Sequence, residues 1–271
     1  MRRHLCSRYY YTDLTNRQWR WIKHFFPKQR GPGRPRTHER RQILNAIFYG
    51  VRAGGSWALL PRDFAPWKTV YDYYRQWTQT GLWAVLCRHL GVAVRRQAGK
   101  RPAPTAAILD SQSVKTDSAR EAVGYDAGKK IKGRKRHILV DTLGLLLAVQ
   151  VTGADVQDRD GARRLLAGAL LLFGRLQLLW ADGGYAGSLV AWVKALRPWG
   201  KLRLEIVSRP PHAKGFRLLP KRWIVERTFG WLMRHRRLVR DYERRTTHSE
   251  AMIQIAMIVL MLRRLDRPDS K

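Results

Sequence analysis

The sequence predicts an all-helical N-terminal part of helix-turn-helix type, followed by a mixed α/β sheet with helices on its faces. Three observations predict it. Up to about residue 94, apolar residues recur at helical spacing between glycine and proline turns. A polar, proline-bearing joint, "RRQAGKRPAP" at 95–104, then interrupts the pattern. Beyond it, short apolar runs alternate with helical stretches. The expected division is a helical DNA-binding part at 1–94, a linker at 95–105 and a sheet-bearing part at 106–271.

The first helix is "LTNRQWRWIKHFF" (14–26), with Trp19, Ile22, Phe25 and Phe26 on one face and Thr15 as its N-cap. "PKQRGPGRPR" (27–36) breaks it with three prolines; Arg34 and Arg36 make this a basic arm of the kind that tracks phosphates or enters a minor groove. A second helix covers 37–54, with Ile43, Leu44, Ile47, Phe48 and Val51 as its stripe. A third runs from about Lys68 to Thr78, turning Lys68, Thr69 and Arg75 outward and Val70, Tyr74 and Trp77 inward.

Strands follow at 106–114, 136–142 and 145–152, the last two joined as a hairpin through Leu143 and Gly144. A helix begins near Asp158 or Asp160, which read as capping acids. "LQLLWADGG" is the fourth strand, "SLVAWVKAL" a helix and "LRLEIVSR" the fifth strand. Two helices close the chain, "KRWIVERTFGWLMRHRRL" and "HSEAMIQIAMIVLMLRRL".

Charge narrows the partner. Lys and Arg total 53 against 20 Asp and Glu, a formal net charge of +33. So large an excess calls for a polyanion, and its spread along the chain favours nucleic acid over a membrane surface. Residues 101–200 nevertheless hold 9 of the 20 acids, as a cation-binding centre inside a basic protein requires. Two cysteines exclude a disulfide framework, and scattered histidines exclude a zinc pattern. No apolar run has membrane-span length and the N-terminus lacks a signal-peptide core, so a reducing cytoplasm is expected.

Three carboxylates carry the chemistry. Asp110 follows the apolar run "AAIL", Asp182 follows "LQLLWA" and precedes two glycines, and Glu226 is the only acid in "WIVERTFGWLMRHRRLVR" (223–240), among five arginines. Hard oxygen ligands at the ends of buried elements suit two Mg²⁺ ions, with Mn²⁺ able to substitute, and such a pair serves phosphodiester displacement. Taken singly, each acid reads as a cap or a surface ion pair; together they read as a site. On an unbroken helix Arg222, Glu226, Gly230, Met233 and Arg237 share one face, and Gly230 gives clearance above Glu226. "GYDAGKKIKGRKRH" (124–137) concentrates Lys129, Lys130, Lys132, Arg134, Lys135 and Arg136 in an expected loop or hairpin lip over a phosphate backbone.

The stretches "ILDSQSVKT", "GYDAGKKIKGRKRHILVDTLGLLLAV", "ADVQDRDGA", "LLWADGGYAG" and "WIVERTFGWLMRHRRLVRDYE" together resemble bacterial insertion-sequence transposases of the DDE class, in the family named after insertion sequence five. "LTNRQW", "GRPR" and "ILNAIFYGVRAGGSWALLPRDFAPWKTVYDYY" resemble its helical domain, so the likeness covers nearly the whole chain. It implies a ribonuclease H-like catalytic fold, a metal-binding triad at Asp110, Asp182 and Glu226, and a bacterial cytoplasmic protein working on the nucleoid. It further implies cleavage and strand transfer at the terminal inverted repeats of a mobile element, by a homodimer or higher homo-oligomer on double-stranded DNA. The wider group's signature of tyrosine, arginine, glutamate and lysine on the last catalytic helix is met at Arg222 and Glu226. Leu219 and Met233 stand at the other two positions, leaving Arg234 or Arg236 for a terminal phosphate. The rival expectations are a nuclease of the same fold without joining activity, and a non-catalytic DNA-binding protein.

Overall fold

The computed structural model describes residues 10–26, 37–117, 119–196, 200–207 and 221–266, so Arg34, Arg36 and Leu219 lie outside the described residues. Four helices come first: α1 (Asn16–Ile22), α2 (Arg40–Ala53), α3 (Trp67–Gln79) and α4 (Leu82–Gln97). Thr15 caps α1 in a reciprocal capping box with Gln18. The α2–α3 connection contains a short 3-10 turn at Trp57–Leu59, while Thr80 and Gly81 alone join α3 to α4. The sequence reading did not assign α4, which buries Trp83, Leu86, Cys87, Leu90 and Val94 at helical spacing and runs three residues into the expected linker.

Among the described residues the sheet has six strands: β1 (Ala106–Lys115), β2 (Gly124–Asp126), β3 (Ile131–Asp141), β4 (Leu146–Gly153), β5 (Leu178–Ala181) and β6 (Arg203–Ile206). β1 lies at its centre, antiparallel to β3 and parallel to β5, which is parallel to β6; β2 and β4 both pair with β3. Setting the short β2 aside, the spatial order is third, second, first, fourth, fifth strand. This is the mixed, ribonuclease H-like sheet the sequence called for. Helices α5 (Asp158–Leu172) and α6 (Ser188–Ala195) follow β4 and β5, and α7 (Trp223–Met233), α8 (Arg236–Val239) and α9 (Thr246–Asp266) close the described chain.

Strand alternation sorts the sheet's side chains into two cores. Ala107, Leu109, Leu139, Leu179 and Ala181 pack with α5 and α6. Ile108, Ile138, Val140 and Trp180 face the other way, into a core shared with α7, α9 and the N-terminal helices. That second core joins α4 to α9, so the N-terminal helices bury their stripes against the C-terminal helix.

Two expectations need correction. Residues 131–137 are not a basic lip: they form most of the interior strand β3, in which Arg134, Lys135 and Arg136 are buried. Alternation again sets their partners. Arg134 and Arg136 point to the α9 side, where Arg134 binds Asp241 at 3.2 Å and Arg136 donates to the Leu238 carbonyl at 2.7 Å. Lys135 points to the α5 side and pairs with Asp158 at 3.1 Å and Asp126 at 3.5 Å. Only Lys129, Lys130 and Lys132 of that group are exposed.

The second correction concerns the helix that carries Glu226. It is not continuous: α7 ends at Met233 and the chain reorients at His235 before α8. Arg237 therefore leaves the face of Glu226 and is buried, with its guanidinium on Glu243 at 2.8 Å. Arg234 and Arg236 are exposed, as are Lys68 and Arg75 on α3, while Thr69 is half-buried.

Candidate active site

β1 and β5 set the first two carboxylates. Ile108 is the partner of Trp180 across the parallel pair. Asp110 and Asp182 each lie two residues further on, so the register carries both to one level and to the face that α7 covers. β5 has ended by then, and Asp182 caps the 3-10 turn Gly183–Tyr185, one oxygen accepting from the Gly184 N–H at 2.9 Å.

The third carboxylate depends on how α7 is held. The β3–β4 turn docks beneath it: Thr228 donates to the Gly144 carbonyl at 2.9 Å and Arg227 to that of Leu143 at 3.3 Å. Gly144 has φ +78°, and a Cβ there would come within 2.8 Å of the Thr228 hydroxyl. Only glycine meets both demands. Arg227 also lies between the rings of Trp223 and Trp231, at 4.4 and 4.6 Å. Glu226 thus stands in the first turn of a well-anchored helix, where the helix dipole favours an anion.

Arg222 connects the acids. Its guanidinium is 3.2 Å from Glu226 and 3.9 Å from Asp182. Burial pushes Asp110 up to about 6; the neighbouring Asp182 adds to this, while the Ser111 N–H, Arg222 and Lys129 oppose it. Tyr185, buried alongside, is pushed well above the ordinary phenol range by burial and then by the charges of Asp110 and Asp158.

The donor set fits a magnesium centre in chemistry: three carboxylates, all hard oxygen ligands, with the central one held uncomfortably charged by burial. In spacing it is not assembled, since no group of three or more potential ligands is drawn together among the described residues. Glu226, whose side chain is 60% exposed, is turned to Arg222 rather than to the aspartates.

Sequence reasoning missed what stands behind Asp110. Asp158 is no cap; Gln157 occupies the N-cap of α5, and Asp158 instead accepts from the Ser111 hydroxyl at 2.8 Å and from Lys135. Lys129 reaches the Ser111 carbonyl at 3.4 Å. The signal available was the position of Ser111 and Lys135 on the strand face opposite Asp110 and Arg134, once both strands are aligned.

Comparison with known families decides the grouping. The family described as "Transposase DDE domain" matches residues 101–262. The chain belongs to the DDE transposase family. Residues 14–87 match a second family, "Putative transposase of IS4/5 family", so both parts of this DDE-family chain lead to insertion sequences. A protein of Burkholderia cepacia, "Putative transposase for insertion sequence element IS402", is 32% identical over 144 residues, covering 51% of this chain and 66% of that protein. An uncharacterized protein of Sinorhizobium fredii, y4sN, is 34% identical over 70 residues, covering 26% of this chain and 55% of that protein. The matched stretches span less than two thirds of either relative. No helix among the described residues is long and apolar enough to cross a membrane.

Proposed function

We propose that this DDE-family protein cuts double-stranded DNA at the terminal inverted repeats of an insertion sequence and joins the freed ends to target DNA. The observation that supports this most is the arrangement of Asp110 and Asp182 at one level of the sheet, under the helix that carries Glu226, with Arg222 among them. Asp110 and Asp182 would hold Mg²⁺ or Mn²⁺ between them and Glu226 would complete the second site. Bound there, the ions supply Lewis-acid stabilisation of the attacking and leaving oxygens.

The chain's own residues do the rest. Glu226 releases Arg222 as it turns toward the aspartates, and the freed guanidinium takes the phosphate next to the scissile one, a fork geometry suited to phosphate oxygens. Water attacks the phosphorus at the repeat boundary, the P–O3′ bond breaks, and the element keeps a 3′-hydroxyl. That hydroxyl attacks a target phosphorus, a new P–O bond forms, and a target 3′-hydroxyl departs. Lys129 lies close enough for its charge to act on Asp110; it and the exposed Lys130, Lys132, Arg234 and Arg236 suit backbone contacts, and Lys68, Thr69 and Arg75 on α3 suit a second DNA contact. Two ends handled together call for a homodimer on the DNA.

The test is a cleavage and strand-transfer assay on labelled DNA carrying the element's end and flank, with Mg²⁺. The expected result is a cut at the repeat boundary that then joins to target, absent with Glu226→Gln. Cutting without joining would leave a nuclease, and binding without cutting in either Mg²⁺ or Mn²⁺ would leave a DNA-binding protein. A mass of one chain per two ends would overturn the dimer.

A further inference from the structure

Away from the three acids, a cleft of about 860 Å³ opens between α3 and the segments 119–121 and 242–245. Two of its walls carry aromatic rings open to solvent, Trp67 at 39% and Tyr242 at 46% exposure. Its rims carry Arg120, Arg244 and Arg245, whose side chains make no ion pair among the described residues, and the Arg120 Nε is buried without a hydrogen-bond partner. Arg237 and Glu243, by contrast, neutralise each other at 2.8 Å in its floor.

The cleft is built rather than incidental. The buried Arg134 guanidinium donates to the carbonyls of Glu121, Glu243 and Arg244, so one side chain fixes both rims. The cleft lies toward the end of β1, where Thr116 bridges Asp241, about 20 Å along the strand from Asp110.

Unpaired cations beside exposed flat rings suit a ligand with a π-face between negative charges. A duplex stacks its base faces inside and offers phosphates and base edges, whereas a single strand offers phosphates and open faces. We propose that this cleft binds an unpaired nucleotide of a DNA strand, its base against Trp67 and Tyr242 and its flanking phosphates on Arg120, Arg244 and Arg245. It rests on the transposase reading only for its role in the reaction, since binding requires no cleavage.

Anisotropy of labelled oligonucleotides with the full chain tests this, at roughly 150 mM salt to screen the general basic charge. The ligands are a thymidylate strand of about eight nucleotides, an abasic strand with the same number of phosphates, and a duplex of equal length. The thymidylate strand should bind about 10-fold tighter than the abasic strand. Trp67→Ala and Tyr242→Ala should each shrink that gap while leaving abasic affinity unchanged, and Trp67→Phe should restore it. Replacing Arg244 and Arg245 with Ala should weaken both single strands. Equal affinity for thymidylate and abasic strands would reduce the cleft to a phosphate site and overturn the proposal. So would a gap that survives both alanine variants, or a duplex that binds as tightly as the thymidylate strand. A chain that passes here but cuts nothing keeps the cleft and loses the transposase reading.

Discussion

Arg134 and Arg222 are both arginines paired with acids beside the same sheet, yet they do opposite work. Arg134 is fully buried, and its hydrogen bonds reach Asp241, Ser249 and the carbonyls of Glu121, Glu243 and Arg244. Arg222 is partly open to solvent and, among the described residues, pairs with only two carboxylates, one of them at 3.9 Å. A cation with every donor used is a strut, because moving it strands several buried partners at once. One with spare donors at a solvent edge can change partner. In a chain this basic, an arginine is therefore assigned by how completely its donors are used, not by how many basic neighbours it has in sequence.

The largest effect expected is on the Arg222 side. Glu226→Gln keeps the side chain's size and removes the anion, so DNA cleavage should fall by about 10³-fold or more, beyond the 10–100-fold typical of losing a group behind a ligand. Thermal unfolding should not move, since Glu226 is exposed. A variant that cuts normally would end the assignment of Glu226.

The matching cut on the Arg134 side should act on stability. Asp241→Ala leaves a buried guanidinium uncompensated and removes an acceptor used by Ser249 and the Glu243 N–H. The expected loss is about 3–5 kcal/mol in denaturant unfolding, with Arg134→Met combined with Asp241→Leu losing less than the single change. A loss below about 1 kcal/mol would mean the network is a surface pair in disguise.

These two arginines also mark what sequence could and could not convey. Asp110 and Asp182 were legible because each follows an apolar run; their common face comes from the parallel register of β1 and β5, which the sequence did not show. The α4 stripe was equally legible in its spacing and was not assigned. Arg134 to Arg136 read as part of a basic lip over a phosphate backbone because their partners are distant in sequence: Asp241 is 107 residues from Arg134. Consecutive charges on a strand buried on both faces look hydrophilic until the acids on each side are known. The break after Met233 was hidden for a similar reason, since Arg237 is drawn off the helix by Gly55 and Glu243, contacts made by other segments.

A smaller effect separates the support of α7 from its chemistry. Gly144→Ala strains a positive φ and pushes a methyl group against Thr228 and Trp231. A stability loss of about 1–3 kcal/mol is expected, with cleavage reduced at temperatures where the protein is still folded, because Glu226 rides on the displaced helix. Unchanged cleavage would show that α7 is placed without the turn.

Stability should also depend on pH through a group belonging to neither arginine. Burial pushes Glu250 up to about 7, against the Val151 N–H that it accepts at 2.9 Å. The folded state holds this proton more tightly than the unfolded chain, so the stabilising contribution is full below the ordinary glutamate value. It is lost as pH rises from about 4.5 through 7. Glu250→Gln keeps an acceptor for Val151 and should flatten that part of the stability profile. A slope that persists unchanged would assign it elsewhere.

The smallest effect is the sharpest probe of the exposed side. Gly230 sits one turn beyond Glu226, and a Cβ there would meet nothing within 4 Å. As a helix-interior glycine it costs roughly 1 kcal/mol relative to alanine, so Gly230→Ala should raise stability by about that amount. If the open space above Glu226 is where DNA lies, the same methyl group should weaken binding of the element's end while the protein becomes more stable. A variant that gains stability and keeps full affinity would place the DNA elsewhere on α7. Arg222 would then have to find its phosphate from the β5 side of the site.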